Sequence, residues 1–90
     1  MIIVSQDKTK IVNFDNLTQI YITQDEEETA YFIRCETVDS LYDDLGKYET
    51  EERAKEVLKE ITRQYENSMW KLGKTTSSFQ DEFVYRMPED

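Results

Sequence analysis

The sequence predicts an α+β domain in which an antiparallel β-meander sheet of about five to six strands carries one amphipathic helix packed on one face. Two observations support this fold class. The first half alternates short apolar runs with polar, turn-prone residues, whereas the second half repeats apolar residues at helical spacing over about residues 51–70. Ninety residues suffice for one modest core, so we expect a single domain over residues 1–90.

The predicted strands follow one another with short connections, which is typical of antiparallel pairing. Short apolar runs predict strands at residues 2–4 and 11–14, separated by a polar hairpin turn at residues 7–10. In the next strand, at residues 18–23, Ile20 and Ile22 alternate with polar neighbours and Tyr21. The acidic run at residues 25–28 is expected to be a solvated hairpin tip.

Residues 30–37 form the strongest strand pattern. Alternation divides this segment into two faces, one with Tyr31, Ile33 and Cys35 and the other with Phe32, Arg34 and Glu36. A weaker strand is expected within residues 40–48, where two aspartates interrupt the pattern.

The helix is predicted to begin after Thr50, which is a favourable N-cap, and to stop near Gly73. Its apolar stripe includes Ala54, Val57 and Ile61. A last strand is expected at residues 82–87, with Phe83, Tyr85 and Met87 on one side, and Pro88 ends it.

Composition narrows the classes of partner. Twenty acidic against eleven basic residues give a net charge of −9, which repels nucleic acid and anionic membranes, so we expect neither direct nucleic-acid binding nor membrane binding. No apolar run approaches the roughly 20 residues of a membrane-spanning helix. We expect the protein to be cytoplasmic, because its first residues lack the longer apolar region of a secretory signal. Cys35 is the single cysteine and lies in an apolar run, which predicts a buried, unreactive thiol.

The residues needed for common enzyme chemistry are scarce. Histidine is absent and only two glycines occur, which excludes His-based catalysis, Cys/His zinc sites and glycine-rich phosphate loops. Carboxylates are abundant, and paired carboxylates can hold Mg²⁺, but these acids fall in loops or in the first turn of the helix. We therefore expect a protein without enzymatic activity and without a cofactor, and a carboxylate enzyme using Mg²⁺ is an alternative.

Aromatic side chains are the best candidates for a binding surface. Tyrosine and tryptophan dominate the energetics of protein interfaces. The candidate interaction surface consists of Tyr21, Tyr31, Tyr42 and Trp70.

Three segments occur together in a recognisable order: SQDKTKIVNFDN at residues 5–16, LGKYETEERAKEVLKEI at residues 45–61 and FVYRMPED at residues 83–90. This combination resembles a group of small proteins of low-GC Gram-positive bacteria and their prophages. The chain departs from that group in residues 64–80, which lie between the helix and the last strand. The resemblance implies a phage or accessory gene context and implies no catalytic residues.

These observations favour a small protein-interaction or regulatory accessory module with an unidentified protein partner. The net charge motivates an alternative, an acidic nucleic-acid mimic that inhibits a DNA-binding protein. An open sheet edge would also allow a homodimer to form by strand pairing.

Overall fold

The computed structural model describes residues 1–27, 29–72 and 84–90, and the side chains of all of these except 69–72. The fold is α+β, as predicted. Its elements are β1 (Ile2–Val4), β2 (Ile11–Asn13), a 3-10 turn (Phe14–Asn16), β3 (Leu17–Gln24), β4 (Tyr31–Thr37), β5 (Tyr42–Tyr48), α1 (Glu51–Leu72) and β6 (Val84–Arg86).

The described strands form two three-stranded sheets, β2-β1-β6 and β3-β4-β5, and the expected single meander is wrong in this respect. The chain leaves the first sheet at the 3-10 turn. There the Asn13 side chain accepts a hydrogen bond from the backbone N–H of Asp15 at 3.0 Å. Because this turn redirects the chain, β3 pairs with β4 and not with β2.

The last strand also departs from the expected all-antiparallel pairing. β6 lies parallel to β1, with Ile3 opposite Tyr85. Parallel neighbours require a long crossover between them, and the chain between β1 and β6 includes the whole of α1. Short connections predict antiparallel pairing only for strands that are adjacent in sequence.

The helix agrees closely with the prediction. The hydroxyl oxygen of Thr50 accepts a hydrogen bond from the backbone N–H of Arg53 at 3.1 Å, which confirms the N-cap. Ala54, Val57 and Ile61 are buried along one side of α1. The predicted stop at Gly73 lies outside the described residues.

The core is shared by both sheets and the helix. Its main members are Ile3, Ile33, Cys35, Leu45, Tyr48, Ala54, Val57, Ile61, Tyr85 and Met87. Tyr85 and Met87 confirm the predicted inward side of the last strand, and Phe83 lies outside the described residues. The Tyr85 hydroxyl donates to the Glu60 carboxylate at 2.6 Å, which ties β6 to α1. The prediction of a buried thiol is confirmed, and burial raises the pKa of Cys35.

Gln6 joins the two sheets. Its backbone N–H donates to the carbonyl of Leu45 at 2.8 Å, and its side-chain oxygen accepts from the N–H of Lys47 at 2.8 Å. Its side-chain amide donates to the carbonyl of Glu89 at 2.9 Å. These bonds cover the outer edge of β5 and hold the C-terminal residues against it.

The β1–β2 hairpin turn is confirmed and is stabilised by its own side chains. Asp7 accepts hydrogen bonds from the Thr9 hydroxyl at 2.7 Å, from the Thr9 N–H at 3.0 Å and from the Ser5 hydroxyl at 2.8 Å. Since these bonds favour the charged carboxylate, they lower the pKa of Asp7 to about 2.

The β3–β4 connection confirms the second predicted turn. β3 and β4 are antiparallel neighbours, so residues 25–27 of the acidic run lie at the tip between them, and residue 28 lies outside the described residues. At the tip, Asp25 accepts a hydrogen bond from the backbone N–H of Thr29 at 2.8 Å.

Among residues 1–27, 29–72 and 84–90, no helix is long and apolar enough to cross a bilayer.

Candidate interaction surface

The β3-β4-β5 sheet has an inner face on the core and an opposite face, which we call the outer face. Alternation along β4 places Ile33 and Cys35 inward, where both are almost fully buried. Arg34 therefore points outward, and its cross-strand neighbours Tyr21 and Asp44 lie on the same side of the sheet. Outward side chains such as these keep partial exposure to solvent.

Arg34 organises the outer face. Its Nε donates to Oδ1 of Asp44 at 2.7 Å, and its Nη2 donates to Oδ2 at 3.4 Å, which is a two-point contact. The guanidinium carbon lies 4.5 Å from the ring centroid of Tyr42, within the range of a cation–π interaction. Hydrogen bonding to Asp44 raises the pKa of Arg34, and Tyr21, its neighbour on β3, raises it further. Arg34 thus contacts Asp44 and the Tyr42 ring and has Tyr21 opposite it on β3, and we call these four residues the Arg34 cluster.

Exposed apolar side chains lie beside this cluster. Val38, Leu41 and Tyr42 are 76%, 67% and 61% exposed, and they occupy the turn between β4 and β5 and the start of β5. The turn is well defined, because the N–H of Thr37 donates to the carbonyl of Leu41 at 2.8 Å. Ser40 adopts a left-handed backbone conformation with φ of 65° in this turn. The apolar side chains are therefore displayed by an ordered backbone.

The structure brings together two of the four residues predicted for the surface. Tyr21 and Tyr42 both lie on the outer face around Arg34. Tyr31 lies on the opposite face, where it packs against the core, because it shares its alternation with Ile33. The side chain of Trp70 lies outside the described residues.

Arg34 and Phe32 belong to the outer face but were not among the residues predicted for it. The signal was present, since alternation along residues 30–37 places both opposite the buried side chains. The pairing of Arg34 with Asp44 depends on a register shift between β4 and β5, which the sequence pattern does not reveal.

A cavity of about 660 Å³ lies elsewhere, between the N-terminal turn of α1, the end of β5 and the C-terminal residues. Its lining mixes charges of both signs, including Lys47, Glu49 and Arg53. The Arg53 guanidinium is already engaged, by Glu56 at 3.3 Å and by the carbonyl of Asp90 at 2.9 Å. In the part of the chain that the structure describes, no three metal-binding side chains group closely enough to hold an ion.

Comparison with protein families, with curated proteins and with solved structures found no match for this chain. The phage or accessory gene context implied by the resemblance therefore stays a prediction. The outer face and the exposed residues Val38, Leu41 and Tyr42 beside it are the features that suggest a function.

Proposed function

We propose that this protein is a protein-interaction module and that it regulates or assists a protein partner by binding it through the outer face and the adjoining β4–β5 turn. The observation that carries the proposal is the display of Val38, Leu41 and Tyr42, each more than 60% exposed, beside the Arg34 cluster. These three exposed side chains fall within five consecutive residues, and large apolar side chains exposed together are typical of interaction sites.

The chemistry of the surface fits a protein partner. Tyrosine and arginine are enriched among the residues that dominate binding energy, and both lie here in one cluster. The Arg34 guanidinium already contacts the Tyr42 ring in the unbound protein, and Tyr21 is the cross-strand neighbour of Arg34. Preorganised side chains lose little conformational entropy on binding, so less of the interaction energy is spent on ordering them.

The surface also indicates the character of the partner. The charge of Arg34 is matched by Asp44 at 2.7 Å, so the cluster has no excess charge of its own. A partner would present an apolar or aromatic patch here, and the complex would depend little on ionic strength. An acidic nucleic-acid mimic would behave differently, since long-range attraction between opposite charges is screened by salt.

Capture from a lysate of the source organism tests the proposal. Tagged wild-type protein is compared with the double variant Leu41→Ser/Tyr42→Ser, and captured complexes are washed at about 0.1 M and about 1 M salt, where the Debye length falls from ~10 Å to ~3 Å. The matched control is Ile11→Ser, because Ile11 is 71% exposed but lies on the other sheet. Melting curves confirm that all three proteins are folded.

We expect a partner that survives both washes, is retained by Ile11→Ser and is lost from the double variant. Equal capture by the double variant and the wild type would contradict the proposal. A DNA-binding partner that is lost from the wild type at high salt alone would favour the acidic mimic instead.

A further inference from the structure

The described strands leave one long sheet edge open. β2 and β6 are edge strands of only three residues each. The outer edge of β5 is occupied by Gln6, through the bonds to Leu45 and Lys47. β3 has eight residues and is paired with β4 on one side, and no other described strand lies on its second side. Such an edge is a template for pairing with another strand.

β3 lacks the residues that usually discourage pairing at a sheet edge. Its sequence is LTQIYITQ, with no charged residue and no proline, in a chain of which 34% is charged. Natural sheets discourage edge pairing with lysine, proline or inward-pointing charges. The only irregularity described in β3 lies between Leu17 and Gln19, so residues 19–24 form a regular edge without these features.

We propose that β3 pairs antiparallel with β3 of a second copy of this chain, about a two-fold axis at Tyr21. In this register Ile20 lies opposite Ile22 of the second copy, Gln19 lies opposite Thr23, and Tyr21 lies opposite itself. Over residues 18–24, each apolar residue thus meets an apolar residue and each polar residue a polar one, which makes this part of the strand nearly palindromic. A two-fold interface requires this kind of self-complementarity.

The hydrogen-bonding pattern is compatible with this register. Along an antiparallel edge, alternate residues direct their N–H and C=O groups outward. An axis at Tyr21 pairs odd-numbered residues with odd-numbered ones and even-numbered with even-numbered ones. The residues whose N–H and C=O groups point to the open edge therefore lie opposite the same residues of the second copy, and their backbone groups can pair.

Pairing would extend both faces of the sheet. Ile20 and Ile22 are only partly buried at the edge of the core, and the second copy would cover them further. On the other side, the two Tyr21 rings would adjoin, and the two Arg34 clusters would lie on one continuous six-stranded sheet. The proposed dimer stands apart from the proposed function, because its pairing is made by the edge of β3 and not by the exposed side chains of Val38, Leu41 and Tyr42.

Charge predicts an unusual salt dependence. Two copies with a net charge of −9 each repel, whereas the paired strands contribute no charge. Salt screens the repulsion and leaves the apolar and backbone contacts intact. The dimer should therefore tighten as ionic strength rises.

Sedimentation equilibrium of the full chain tests the proposal with two matched variants. Gln19→Lys/Thr23→Lys places like charges opposite each other in both symmetry-related pairs, which disfavours pairing. Gln19→Lys/Thr23→Glu changes the same positions but places opposite charges together. The first variant also makes the chain less negative, so overall repulsion cannot explain a loss of its dimer.

We expect the wild type to approach twice its 10.8 kDa mass, and to do so at lower protein concentration as salt rises. The like-charge variant should dissociate at least about tenfold more readily than the opposite-charge variant, with both folded by melting curves. A wild type that stays monomeric at every salt concentration would overturn the proposal. Equal dimerisation of the two variants, or its loss in both, would overturn the register.

Discussion

The inner and outer faces of the β3-β4-β5 sheet are built from the same strands but have different environments. Ile33 is 0% exposed, whereas its neighbour Arg34 lies on the outer face with partial exposure and binds Asp44 and Tyr42. Because side chains alternate along a strand, a single sequence serves both faces. The core contacts are therefore concentrated on the inner face, which leaves the outer face free to carry the residues that we propose bind a partner.

Disrupting the core between the inner face and α1 should have the largest effect on stability. Ile61→Asp places a charge beneath α1 at a position that is 2% exposed, and burying an unpaired charge costs more than a small domain can tolerate. We expect the variant to be unfolded at 25 °C by circular dichroism. The control is Thr62→Asp, at the next and exposed position, which should melt cooperatively. Retention of the wild-type melting temperature by Ile61→Asp would contradict the helix register.

A smaller loss of stability is expected from a substitution at Gly46, where the inner face meets the C-terminal residues. A Cβ atom at Gly46 would lie 2.8 Å from Cε2 of Tyr48 and 3.1 Å from Cε of Met87. Tyr48 cannot easily move, because it is buried and its hydroxyl donates to the Pro88 carbonyl at 2.8 Å. We expect Gly46→Ala to lose about 1–3 kcal/mol of unfolding free energy in urea titrations. An unchanged midpoint would mean that this packing is looser than described.

Alkaline pH introduces a charge into the core, by ionising Tyr48, without changing the volume of its side chains. Burial raises the pKa of Tyr48 to about 12, against about 10 in an unfolded chain. A raised pKa in the folded state means that the contribution of Tyr48 to stability is whole below pH ~10 and is lost as pH rises through about 12.

Urea titrations of the wild type and Tyr48→Phe across this range measure that contribution. Tyr85, whose pKa is also raised chiefly by burial, is present in both proteins, so the part of its titration that does not depend on Tyr48 cancels. We expect the stability advantage of the wild type to shrink between about pH 10 and pH 12. A constant difference would show that Tyr48 ionises normally in the folded protein.

The outer face should contribute least to stability. Arg34→Met removes the ion pair with Asp44, and partly exposed pairs of this kind contribute about 1 kcal/mol or less. We expect a small change in unfolding free energy and, under the proposed function, weaker capture of the partner. A loss as large as that of Gly46→Ala would show that Arg34 is principally a structural residue.

Local patterns predicted most of the elements and missed how they assemble. The cap at Thr50, the turn at Asp7 and the two faces of β4 each depend on residues close in sequence, so all three could be predicted. The parallel pairing of β6 with β1 depends on a long crossover, and short-range patterns carry no information about it.

The candidate surface was predicted only in part for a similar reason. Tyr21 and Tyr42 lie on either side of Arg34, because Tyr21 is its neighbour on β3 and the Tyr42 ring lies 4.5 Å from its guanidinium carbon. Arg34 reaches Asp44 because β4 and β5 shift register between Ile33 and Arg34. Such an irregularity is set by packing across the sheet and is not visible in the sequence. Tyr31 was included in the predicted surface because it is a tyrosine, although it lies on the inner face.

The most direct test of the two-face account is the melting behaviour of adjacent substitutions in β4, Ile33→Asn and Phe32→Asn. Ile33 is 0% exposed, and Phe32 lies on the outer face with intermediate exposure. We expect Ile33→Asn to be unfolded at 25 °C, because a buried amide without partners is strongly destabilising, and Phe32→Asn to melt cooperatively. Similar melting temperatures for the two variants would contradict the division of stability and binding between the faces.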